Sequence, residues 1–180
     1  MKVFIDPKNP LILGDDEKPA LKKAATSNAD DDLKEFEKHC DRIRQENEQL
    51  LKGFALMLQS KRLASSTIRK HRDNVDFFIN EFLLYTVDAK RPSEGIGELY
   101  EYFGDWFIRK AMWSTPRTIK SSATSLHKFY GFLAALGKIT PEQLVELGQT
   151  IVLHLPEWQA RCERYNDGED DDWRGIEDPL

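Results

Sequence analysis

Ser65-Ser66-Thr67-Ile68-Arg69-Lys70-His71-Arg72-Asp73-Asn74-Val75-Asp76-Phe77-Phe78-Ile79-Asn80-Glu81-Phe82 is the stretch on which the fold reading turns. Counted from Thr67, its apolar residues Ile68, Val75, Phe78, Ile79 and Phe82 stand at +1, +8, +11, +12 and +15. At about 100° per residue they share one sector of a helical wheel, so the spacing predicts an amphipathic helix with one buried face. The same offsets recur 51 residues later, counted from Thr118, in Ile119, Leu126, Phe129, Tyr130 and Leu133. Thr67-Ile68-Arg69 and Thr118-Ile119-Lys120 match as well. Two equivalent helices, each preceded by a helix and a Ser/Thr-rich turn, make two helical hairpins.

Working outward, Leu33, Phe36, Cys40, Ile43, Asn47, Leu50, Phe54 and Met57 alternate at steps of three and four, a heptad stripe on a long first helix that should end near Gln59-Ser60. Pro7, Pro10, Gly14 and Pro19 mark residues 1–30 as a flexible arm, with the helix starting at the Ala29–Asp32 run. Ser65-Ser66-Thr67 offers N-cap hydroxyls. A loop with Pro92, Gly95 and Gly97 leads to a third helix carrying Leu99, Tyr100, Phe103, Trp106 and Phe107. Ser114-Thr115-Pro116 starts the fourth, and Gly137 ends it. Thr140 and Gln143 have capping-box spacing for a fifth, which should stop by Pro156. The aromatic set Tyr100, Tyr102, Phe103, Trp106, Phe107 and Trp113 reads as core rather than as a base-stacking platform. No strand-like alternation is present. The expected class is all-α, a compact four-to-five-helix bundle over residues 31–156 with flexible acidic termini, the C-terminal one spanning 157–180.

The chain has 180 residues, 40% hydrophobic and 32% charged, which suits a globular core. No apolar run is long enough to span a bilayer, and the first residues lack the apolar core of a secretory signal. Two cysteines without CxxC spacing and four histidines exclude a recognisable metal site, and no cofactor motif is found. A cytoplasmic setting is expected.

Net charge is −5, but its distribution is uneven: −2 over residues 1–38, +3 over 39–154 and −6 over 155–180. Lys61 to Arg72 contains Lys61, Arg62, Arg69, Lys70, His71 and Arg72 and no acid. Trp106 to Lys128 contains Arg109, Lys110, Arg117, Lys120, His127 and Lys128, again with no acid. Both stretches surround the start of an echo helix. Helix N-termini offer free N–H groups to phosphate, and Ser65, Ser66, Ser114, Thr115 and Thr118 add hydroxyls. Arg69, Lys70, Arg117 and Lys120 lie in position to meet phosphates or base edges.

Leu63-Ala64-Ser65-Ser66-Thr67-Ile68-Arg69-Lys70-His71 and Ser114-Thr115-Pro116-Arg117-Thr118-Ile119-Lys120, the latter leading into Leu126-His127-Lys128-Phe129-Tyr130-Gly131-Phe132-Leu133, resemble the SAM-like core-binding domain of phage-integrase-type tyrosine recombinases. Gly137-Lys138-Ile139-Thr140-Pro141 is similar to the usual exit of its aromatic-rich helix. The resemblance covers roughly residues 39–150. It implies a bundle that clamps duplex DNA, with Thr67, Arg69, Lys70, Thr118 and Lys120 at the groove and Lys61, Arg62 and Arg117 on the backbone nearby; Ser66 is a further expected DNA-binding residue.

The family's catalytic half is not matched. His39-Cys40-Asp41-Arg42 fits its H-x-x-R pattern, but on the wrong helix, and Tyr165 has no arginine cluster to clamp a phosphate. No catalytic role is therefore expected. The implied partners are duplex DNA and either a separately encoded recombinase catalytic subunit or a second copy of this chain. The acidic run Asp170-Asp171-Asp172 reads as a solvated tail, with competition for the basic helix starts as a further hypothesis. The alternative reading is a helical interaction module that dimerises through residues 33–57, with Asn47 fixing register and no DNA role.

Overall fold

The computed structural model describes residues 18–85 and 88–168, with side chains described from residue 31 onward. Among the described residues every regular element is helical. The chain divides into two units, residues 1–41 and 42–180. The long helix α1, Lys18–Ser60, contributes to both.

Within the first unit, α1 begins at Lys18, well before the expected Ala29–Asp32 start. Pro19 is its second residue, a position where a missing N–H breaks no helical bond, so this proline opens the helix and does not block it. The expected arm is therefore helical from residue 18, while residues 1–17 lie outside the described residues. Leu33, the first residue of the heptad stripe, is exposed, and Lys34–Asp31 and Lys38–Glu35 pair across single turns at 3.7 Å each.

Within the second unit, α1 buries Ile43, Asn47, Leu51, Phe54 and Leu58 completely. The stripe predicted Leu50 and Met57, which are only half-buried. Seven residues of a straight helix fall about 20° short of two full turns, so the buried line drifts to later residues, from Leu50 to Leu51. Helix α2, Ser65–Asp76, returns antiparallel to α1 and passes into one π-helical segment, Phe77–Phe82. Asn47 Nδ2 locks the pair by donating to Ile79 O (3.2 Å) and Asn80 Oδ1 (2.8 Å).

The second hairpin begins with a 3-10 turn, Gly95–Glu98, followed by α3 (Leu99–Glu101), a π-helical segment (Tyr102–Trp106) and α4 (Phe107–Lys110). The two π segments face each other through rings: Phe78–Tyr102 at 4.8 Å, Phe82–Tyr102 at 5.1 Å and Phe82–Trp106 at 5.3 Å. Helix α5, Pro116–Ala135, supplies Ile119, Leu126, Phe129, Tyr130 and Leu133, all fully buried. Of their echo partners on α2 and its π-helical continuation, Val75, Phe78, Ile79 and Phe82 are buried too, with Ile68 half-buried. The repeated spacing thus marks two helices that bury equivalent faces. Tyr130 Oη donates to Pro92 O at 2.9 Å and pins the loop before the second hairpin.

Helix α6, Pro141–Asp167, does not stop at Pro156. Proline removes one helical bond, to the carbonyl of Val152, and both residues lie on the exposed side of the helix. Beyond it Trp158 and Cys162 are buried, with the Trp158 ring 5.0 Å from Phe103. Burial of an indole and a thiol outweighs one lost bond. The expected tail at 157–180 is therefore helical to Asp167; residues 169–180, including Asp170–Asp172, lie outside the described residues. Among the described residues no helix is long and apolar enough to cross a membrane.

Candidate nucleic-acid interface

The echo helices α2 and α5 meet at a polar knot. Ser125 Oγ donates to Ser121 O at 2.8 Å, which uses its single proton. It therefore accepts from Asn74 Nδ2 at 2.9 Å and from His71 Nδ1 at 2.8 Å. A proton on His71 Nδ1 is the tautomer that matches this set of bonds. Burial, then the nearby charges of Lys128 and Lys70, hold His71 below the usual histidine pKa. Lys128 comes from the second acid-free stretch and Lys70 from the first, so the fold brings the two stretches together here. His71, Asn74, Ser125 and Lys128 are the residues that spacing alone did not single out. His71 and Lys128 were counted in the two acid-free stretches, whereas Asn74 and Ser125 carried no such signal.

The knot lies six to nine residues from the start of α2 and nine from the start of α5. At about 1.5 Å per residue both helix starts lie within about 14 Å of it along their own axes.

Ion pairing sorts the basic residues into two groups. Arg72 reaches Glu48 at 3.4 Å, Arg91 reaches Glu46 at 2.9 Å, and Asp105 takes both Arg109 and, at 3.5 Å, Arg161. By contrast Lys61, Arg62, Arg69, Lys70, Arg117 and Lys120 are exposed, and among the described residues no carboxylate pairs with them or with Lys128. All six were nominated from sequence; Lys110, Lys128, Lys138 and Arg164 are likewise exposed with no carboxylate partner among the described residues and were not nominated.

The hydroxyls divide differently. Thr115 caps α5: its Oγ1 accepts from Thr118 N at 3.1 Å, while Thr118 Oγ1 accepts from Thr115 N at 2.8 Å. Thr118 Oγ1 also lies 3.2 Å from Trp113 O and 3.0 Å from Thr115 O. Thr118, nominated for the groove, is thus committed to the cap. Ser114 is buried, with Oγ donating to Ile108 O at 3.0 Å. On α2 the expected Ser65-Ser66-Thr67 cap is not formed. Ala64 occupies the N-cap position and no side chain caps the helix, because the turn from α1 delivers the chain one residue early. Ser66 and Thr67 are exposed in the first turn. The first turn of α2 therefore has no side-chain cap for its N–H groups, and uncapped helix starts are where anions bind.

The turn that delivers α2 is strained. Arg62 sits in the left-handed region with φ of 60°, the described non-glycine residue with positive φ. A side chain there costs about 1 to 2 kcal/mol relative to its usual conformation. Arg62 therefore holds a cation at the tip where local backbone preference calls for glycine.

No protein-family model, curated protein or solved structure matches this chain.

Proposed function

We propose that the chain is a non-catalytic DNA-binding protein that grips duplex DNA through the starts of α2 and α5, in the manner of the tyrosine-recombinase core-binding domains its sequence resembles. The observation that carries this reading is the sorting of cations. Within the two acid-free stretches only Arg72 and Arg109 pair with carboxylates, while Lys61, Arg62, Arg69, Lys70, Lys110, Arg117, Lys120 and Lys128 stand exposed with no carboxylate partner among the described residues. An unpaired cluster raises the local potential seen by a polyanion despite the negative net charge. Lys61, Arg62 and Arg117 serve the phosphates; Ser66, Thr67, Arg69, Lys70 and Lys120 approach the groove, and Lys128 joins them at the knot. Thr118 supports the α5 start from within. A recombinase catalytic subunit encoded elsewhere, or a second copy, would be the further partner.

The test is affinity for duplex DNA across a salt series. Wild type should lose affinity steeply as salt rises, because bound phosphates release counterions. Arg69→Glu with Lys120→Glu should abolish binding with helicity unchanged by circular dichroism. Wild-type affinity at low salt no better than that of the double variant sinks the reading. The alternative, pairing through residues 33–57, retains only the Leu33 end of the stripe, which is 57% exposed; Ile43, Asn47 and Phe54 are buried, and Asn47 bonds Ile79 and Asn80 of the same chain instead of fixing a dimer register. Sedimentation of Leu33→Glu beside wild type decides it.

A further inference from the structure

The turn between α4 and α5 presents two large apolar side chains to solvent. Met112 is 99% exposed and Trp113 58% exposed. Trp113 was expected in the core; instead it is largely exposed, with its ring tilted against that of Phe77 at 5.3 Å between centroids. The residues on either side root the turn. Ala111 and Ser114 are buried, and Ser114 N donates to Ala111 O at 2.8 Å. Ser114 Oγ holds Ile108 O, Asn166 Nδ2 holds Ser114 O at 2.9 Å, and Thr118 Oγ1 reaches Trp113 O. The pair therefore projects from a braced platform and not from a loose loop. Lys110 and Arg117, both exposed, flank it, and the acid-free stretch surrounds it.

A braced, fully exposed methionine beside a half-exposed tryptophan, with cations on both sides, has the chemistry of an intercalating wedge. Such wedges push one or two apolar side chains between base pairs and kink the duplex while nearby cations hold the phosphates. A lipid surface is the other apolar–anionic target, but two side chains bury too little area to hold a protein on a bilayer. We infer that Met112 and Trp113 enter a base step of bound duplex DNA and bend it, an inference that rests on the DNA-binding reading above.

The experiment uses the full chain and a mixed-sequence duplex of roughly 25 base pairs carrying a fluorescence donor and acceptor at its ends. Affinity over a salt series and end-to-end energy transfer are read together. Wild type should bind and bring the ends closer. Met112→Ala with Trp113→Ala should keep the salt dependence, lose the bend and bind roughly three- to tenfold more weakly. Because Trp113 also touches Phe77, Met112→Gln serves as the variant that disturbs no packing; it should lose most of the bend. Wild-type binding without a bend, or a bend that both variants retain, overturns the wedge and leaves the DNA reading standing. No wild-type binding at all removes both. Phosphatidylserine vesicles form the control arm: vesicle binding that Met112→Gln abolishes, with no duplex bending, overturns the wedge in favour of a membrane contact.

Discussion

The turn from α1 into α2 and the turn from α5 into α6 have the same backbone and opposite chemistry. In the first, Arg62 N donates to Gln59 O at 2.8 Å and Leu63 N to Leu58 O at 3.4 Å; in the second, Gly137 N donates to Ala134 O and Lys138 N to Leu133 O, both at 2.9 Å. Each pivots on a left-handed residue, with φ of 60° at Arg62 and 67° at Gly137. The second turn follows local preference twice, with glycine at the pivot and a complete Thr140–Gln143 capping box on the helix it opens. The first departs from it twice within three residues, with arginine at the pivot and alanine at the cap. Departures from local preference concentrate where a surface serves something other than folding. The comparison therefore singles out the α1–α2 tip, where the nominated cations lie, without using charge as its argument.

Exchanging the pivots has the largest expected effect on stability. Arg62→Gly should stabilise the chain by about 1 kcal/mol by relieving the left-handed side chain, and Gly137→Arg should destabilise it by a similar amount, about 1 kcal/mol. Urea unfolding followed by circular dichroism measures both. Arg62→Gly should also lower the slope of log affinity for DNA against log salt by about 1, since one phosphate contact is lost. An Arg62→Gly chain no more stable than wild type removes the strain argument.

Exchanging the caps comes next. Thr115→Ala should cost about 1 kcal/mol, because Thr118 N loses its acceptor. Ala64→Asp should do the reverse on α2, adding a cap and about 0.5 kcal/mol. The same carboxylate would sit where phosphate is expected, so DNA affinity should fall as stability rises. Parallel gains in both would show that the uncapped start of α2 is not an anion-binding end.

Most of the helical order was legible because it rests on periodicity and on caps that act within one turn. Thr115-Pro116, Thr140 to Gln143 and Gly137 do locally what their chemistry says. The misreadings come from effects that reach further along the chain. Pro156 reads as a stop until Trp158 and Cys162 are seen buried beyond it. Ser65 reads as a cap until the left-handed Arg62 shows where the turn ends. Trp113 reads as core because spacing cannot tell a helix face from the turn that follows it. The exposed cations could be nominated from the missing acids nearby in sequence. That Arg72 and Arg109 are neutralised, one by α1 and the other within its own rod, could be learned only from the packing.

The smallest expected effect separates the two echo helices themselves. His71 on α2 corresponds, 51 residues on, to Ser122 on α5, a buried hydroxyl that does not titrate in this range. Burial, and then Lys128 and Lys70, keep the folded-state pKa of His71 below its unfolded value of 6.5. Between the folded and unfolded values the unfolded chain holds more protons, so this histidine's contribution to stability is present above 6.5 and is lost as pH falls through that window. DNA binding should act in the opposite direction. Phosphates near Lys70 and Lys128 offset the charges that disfavour protonated His71, so the complex takes up protons. Affinity should then rise as pH falls from about 7.5 to about 6, and calorimetry in buffers of different ionisation heat should register the uptake. His71→Gln should flatten both dependences while leaving neutral-pH binding nearly unchanged. A wild-type complex with no proton uptake would place the bound phosphates away from the knot and confine the grip to the helix tips.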